Sequence, residues 1–104
     1  MIPTHVITCA VVGSLIRVCL TNEEAKEESY KLRNRSHLLL SYDDVDYPCE
    51  FLLQEGSTVL ATCLHLEHAL EMAEAYAQKA RSKVDVILDG SPFIVYSFDR
   101  SSTL

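Results

Sequence analysis

The chain has 104 residues, 48% of them apolar and 23% charged, which suits one compact domain over 1–104, since domains typically run to about 100–150 residues. That composition excludes a disordered chain, which needs low hydrophobicity, and collagen or a solenoid, which need a repeating sequence; no apolar run reaches the roughly 18 residues of a membrane span. Fifteen Asp and Glu against nine Lys and Arg give a formal charge of -6, so attraction to a phosphate backbone is opposed over most of the surface and direct nucleic-acid binding is not expected.

Met1 to His5 lacks a cationic leader region, and the apolar stretch from Val6 to Leu20 is broken by Gly13, Ser14 and Arg17. No secretory signal is read there, and the cytoplasm is the expected address. The β-branched content of His5 to Leu20, with Gly13-Ser14 at its centre, predicts a hairpin with a two-residue loop. That loop sets Val12 opposite Leu15, Cys9 opposite Val18 and Ile7 opposite Leu20. It gathers Ile7, Cys9, Val11, Ile16, Val18 and Leu20 on one apolar face. The other face, Thr8, Ala10, Val12, Leu15, Arg17 and Cys19, is only half polar, so a helix of the same chain or a second copy in a homodimer is expected to cover it.

Thr21-Asn22-Glu23-Glu24 reads as a capping box, the Thr21 hydroxyl meeting the Glu24 amide and the Glu24 carboxylate returning to the cap. A helix from about 22 to 34 follows, thinly apolar at Ala25, Tyr30 and Leu32, with acids in its first turn and Lys31, Arg33 and Arg35 toward its end. His37 to Tyr42 reads as a strand that the acidic stretch Asp43 to Pro48 terminates. Cys49 to Gln54 and Thr58 to Cys63 flank Glu55-Gly56-Ser57 as a second hairpin; a three-residue loop there sets Leu53 against Val59 and Phe51 against Ala61, with Gly56 in a two- or four-residue loop as the alternatives.

The strongest helical pattern covers about 65–82. Leu66, Ala69, Leu70, Ala73, Ala77 and Ala80 recur at helical spacing, with Glu67, Glu71, Glu74 and Gln78 opposite. Val84 to Leu88 and Phe93 to Phe98 form a third strand pair around Asp89-Gly90-Ser91-Pro92. Short frayed tails are expected at 1–4 and 99–104.

Cys63, His65 and His68 form the one local cluster of soft metal ligands, although Cys-x-His-x-x-His is not a usual zinc spacing and His37 or Cys49 would have to complete it. Cys63 beside a histidine is also the only nucleophile and base arrangement, and it requires an accessible thiol. No phosphate-cradling glycine loop, G-x-S-x-G or H-E-x-x-H is present. No catalytic residue, enzymatic activity or cofactor is assigned. The four cysteines form no C-x-x-C pair and lie in or beside apolar runs, as buried thiols of a reducing compartment do.

Asp43, Asp44 and Asp46 frame Tyr42 and Tyr47, a grouping suited to a basic protein partner, because complementary charge accelerates encounter and aromatic side chains anchor interfaces. The pattern as a whole predicts a two-layer α+β domain with a mainly antiparallel sheet of hairpins, the helix of 65–82 and the weaker helix of 22–34 packed on it. A ferredoxin-like split β-α-β arrangement is the topological alternative. The functional expectation is a small acidic interaction or regulatory protein, inhibitor-like, that binds a basic protein. The alternatives are a small-ligand domain with an apolar pocket between helix and sheet or at a dimer interface, and a metal site at Cys63, His65 and His68.

Overall fold

A computed structural model describes residues 2–9, 15–33, 40–41, 50–90 and 94–101. The elements follow the predicted order. Strands β1 (His5–Cys9) and β2 (Leu15–Cys19) precede helix α1 (Asn22–Arg33); strands β3 (Leu40–Ser41), β4 (Phe51–Glu55) and β5 (Thr58–Cys63) precede helix α2 (Leu66–Ala80); strands β6 (Lys83–Leu88) and β7 (Ile94–Asp99) close the fold. The class is α+β, with every strand pairing antiparallel. One sheet has the order β2-β1-β3 and the other β5-β4-β6-β7.

In the four-stranded sheet, β4 pairs antiparallel with both β5 and β6. Strands β5 and β6 therefore run in the same direction on either side of it, joined by α2, which makes one split β-α-β unit. The ferredoxin-like alternative is met only in this unit, because α1 packs on β1 and β2 instead of joining α2 on the larger sheet.

The periodicity of α2 has a direct structural counterpart. Leu66, Ala69, Leu70, Ala73 and Ala77 are buried, and small alanines let the helix lie close to β4, β5, β6 and β7. Phe51, Leu53, Val84, Val86 and Leu88 meet them from the sheet. Full burial of one such side chain as large as Phe51, Leu53 or Leu66 contributes about 1.5–3 kcal/mol. Ala80, expected on the inner face, is exposed. The helix ends at Arg81, which takes the left-handed conformation (φ 50°, ψ 51°), and the Ser82 N–H returns to the Ala77 carbonyl at 3.1 Å. That bond closes a Schellman-type cap. On β7, Tyr96 and Phe98 meet edge to face with centroids 4.9 Å apart.

Helix α1 opens with the predicted capping bond, the Glu24 N–H donating to Thr21 Oγ1 at 3.0 Å. The Glu24 carboxylate accepts from the Leu20 N–H at 2.8 Å, one residue ahead of the expected cap amide. Its inward positions are Ala25, Ser29 and Leu32, whereas Tyr30, expected among them, is 71% exposed. The Ser29 hydroxyl is satisfied by the Lys26 carbonyl at 2.9 Å.

Two registers differ from expectation, those of the first and second hairpins. In the first hairpin Ile7 pairs with Arg17 and Val6 with Val18, a slip of three residues, and Ile16 is an extra residue at a bulge. The reason is that β1 is covered on both faces. Val6 belongs to the main core with Val18 and Leu15 against it, while Ile7 and Cys19 lie with Ala25 of α1 in a second, smaller cluster. Cys9 pairs with Leu40, not Val18. The residues 10–14 that would form the Gly13-Ser14 loop lie outside the described residues.

In the second hairpin Glu55 pairs with Thr58, leaving Gly56-Ser57 as a two-residue turn with Gly56 at φ +61° and Leu60 as a bulged residue. Glycine at positive φ in the first turn position is the type II′ preference. Phe51 consequently faces Cys63, and Leu53 faces Ala61. In the third pair Val86 faces Tyr96 and Ile87 faces Ile94, with Val95 bulged. Ser97 Oγ donates to Asp85 Oδ1 across the strands at 2.6 Å.

Of the expected tails, residues 2–4 and 99–101 are among the described residues and Met1 and 102–104 lie outside them. Pro3 is buried, the Thr4 N–H donates to the Cys19 carbonyl at 2.9 Å, Asp99 completes β7, and the Arg100 N–H reaches the Ser82 carbonyl at 3.0 Å. The strand expected over His37 to Tyr42 is β3 at Leu40–Ser41, with its neighbours outside the described residues. No helix among the described residues is long and apolar enough to cross a membrane.

Candidate functional site

The three residues of the expected metal site take different settings. Cys63 ends β5 with its side chain buried, and its thiol donates to Met72 Sδ at 3.4 Å. Burial pushes the Cys63 thiol above its ordinary value, so it stays protonated at neutral pH. A nucleophile requires the thiolate. His65 is the residue before α2, in extended conformation (φ -117°, ψ 137°), and both it and His68 are exposed. Among the described residues no group of three or more His, Cys, Asp or Glu side chains is placed to hold a metal ion. Cys19 is likewise buried and free, its thiol raised first by burial and then by Glu24, with Arg17 opposing. Tyr42, Asp43, Asp44, Asp46 and Tyr47, the expected partner-binding stretch, lie outside the described residues, as do His37 and Cys49.

The structure builds a different concavity. A groove of about 500 Å³ runs between the segment leading into β1 and the first two turns of α2, with Phe98 of β7 at its base. Ile2, Pro3, Thr4 and His5 form one wall, and the buried Leu66 and Leu70 border it from the helix. Glu67, Glu71 and Glu74 line it from the same helix. Their spacing is a consequence of helix geometry: residues at i, i+4 and i+7 lie along one stripe, here over a rise of about 10 Å.

The wall is fixed by backbone bonding. The Thr4 N–H is held by Cys19 of β2, and His5 Nδ1 is hydrogen-bonded to Thr4 Oγ1 at 2.9 Å. Ile2 is 44% exposed beside a floor made by nearly buried Leu70 and Phe98. Among the described residues the ion pairs are those of Arg17 with Glu28 and of Lys31 with Glu27 and Glu28, none of which involves α2. Glu74 accepts a hydrogen bond from Gln78 Nε2 at 3.3 Å. The groove therefore joins apolar surface to three carboxylates that enter none of these ion pairs.

Sequence reasoning places the glutamates on the outer face of this helix but misses the opposite wall. Ile2-Pro3, an apolar pair directly ahead of a strand and containing a residue of fixed φ, is the signal that marks an anchored segment rather than a tail. No family model matches this chain, and neither a curated protein nor a solved structure matches it at a significant level.

Proposed function

We propose that this protein is a small acidic interaction module of the cytoplasm that binds a basic protein partner and regulates it by covering the partner's cationic surface. The observation that carries this reading is the row Glu67, Glu71 and Glu74 along an apolar groove, in a chain of net charge -6. Carboxylates so placed accelerate encounter with a cationic surface, and adjoining apolar area supplies the burial that holds a complex once formed. Asp43, Asp44 and Asp46 with Tyr42 and Tyr47 form a second acidic element of the same reading.

The test is capture from lysate by the immobilised full chain at low and moderate salt. It compares the natural protein with a Glu67→Gln, Glu71→Gln, Glu74→Gln variant and an Asp43→Asn, Asp44→Asn, Asp46→Asn variant. The expected result is a protein of net positive charge, retained stoichiometrically at low salt, released at moderate salt and lost by at least one neutralised variant. Equal retention by all three proteins refutes the reading. A groove of about 500 Å³ also falls in the size range of small-molecule pockets, about 300–1,000 Å³, which supports ligand binding between helix and sheet as a second reading.

A further inference from the structure

We infer that the groove between residues 2–5 and α2 is the seat of the basic partner, and that its occupant is a peptide segment with bulky apolar side chains flanked by Lys or Arg. This rests on the reading of the protein as a binder of basic proteins. The apolar requirement comes from Ile2, 44% exposed at the side, over a floor closed by the nearly buried Leu70 and Phe98. Such a site rewards a large side chain inserted from outside, as central anchors do at protein interfaces. The cationic requirement comes from the three glutamates, which enter none of the ion pairs of Arg17 and Lys31.

Their distribution selects a peptide. Three carboxylates spread over about 10 Å of helix are matched by several cations on one chain, whereas an amphiphile with a single charged head engages one of them. The Thr4 to Cys19 backbone bond holds the opposite wall in place before any ligand arrives, so little ordering is required on binding.

The experiment titrates the full chain with a capped synthetic peptide carrying three lysines and two leucines. Affinity is followed by fluorescence anisotropy, and the site is mapped by backbone amide shifts. Shifts concentrated at residues 2–5, 66–74 and 98 are expected. Glu67→Gln, Glu71→Gln, Glu74→Gln, all on the helix surface, should weaken binding about tenfold and flatten its salt dependence. Ile2→Ser should weaken it severalfold without altering the fold. A peptide with its leucines replaced by serines should bind far less tightly.

Shifts elsewhere, with affinity unchanged in the triple Gln variant and lost in Asp43→Asn, Asp44→Asn, Asp46→Asn, would overturn the groove while leaving the basic-partner reading in place. Binding of dodecyltrimethylammonium as tightly as the peptide, with the same loss on neutralisation, would overturn the peptide assignment in favour of a small ligand. Absence of binding by any basic peptide at low salt would overturn both readings.

Discussion

Arg81 provides a test of how α2 is terminated. It occupies the left-handed region at φ 50° and ψ 51°, and the Ser82 N–H bond to the Ala77 carbonyl depends on that turn. A residue with a Cβ in this conformation is destabilised by about 1–2 kcal/mol, whereas glycine adopts it freely but loses about 0.5–1 kcal/mol more chain entropy on folding. Arg81→Gly also removes a positive charge from the helix C-terminus, where it is worth about 0.3–1 kcal/mol. Arg81→Ala removes the same charge and keeps the Cβ. The Gly variant should therefore exceed the Ala variant in stability by about 1 kcal/mol, which for a domain near this size raises Tm by about 4–8 °C. Urea denaturation should show the shift in midpoint with an unchanged slope. A Gly variant no more stable than the Ala variant would refute the account of this cap.

Two further outcomes follow from local features. Thr21→Ala removes the acceptor of the Glu24 N–H and should cost about 1 kcal/mol, measured by denaturation and by faster hydrogen exchange of the first amides of α1; unchanged exchange there would show that the cap does not hold the helix. Cys63 and Cys19 have thiol pKa values raised above the usual 9.0, first of all by burial. A raised folded-state value means that their contribution to stability is whole below the ordinary pKa and is lost as pH rises through the folded one. Both thiols should resist a disulfide reagent at neutral pH until denaturant is added, and Cys63→Ala should lose stability less steeply above pH 9 than the natural chain. Rapid labelling of the native protein at either position contradicts their placement.

What the sequence made legible divides along physical lines. Leu66, Ala69, Leu70, Ala73 and Ala77 recur with one period and bury one stripe, so both the identity and the facing of α2 follow from the pattern. The Thr21 box is equally local, and its hydroxyl bond is where the pattern puts it. Strand register failed where locality failed. Alternation selects a register only when one face is wet, and Val6, Ile7 and Thr8 are all fully buried. At Gly56 the turn type was undetermined between loop lengths, and the bulge at Leu60 is the residue that a two-residue turn leaves over. The groove was half legible: its three glutamates share a stripe that helical spacing reveals, but the Ile2 to His5 wall is set by a backbone bond to Cys19, fourteen to seventeen positions further along.

The assignment of Val6 and Ile7 to different buried clusters bears on how the fold comes apart. Among the described residues, the cluster under α1 has Ile7, Cys19 and Ala25 fully buried, with Ile16 and Leu32 at its edge, while fourteen buried residues form the other. Few buried apolar contacts mark the part of a fold that opens most readily, and on the described contacts that part is α1, while Val6, Val18 and Leu15 tie β1 and β2 to the larger core. The groove wall hangs from β2 through the Thr4 bond to Cys19, and Cys19 is itself a member of the weaker cluster. Opening of α1 would thus disturb the cluster around Cys19 while Leu15 and Val18 hold β2 against the larger core, leaving the groove wall and the acidic helix in place.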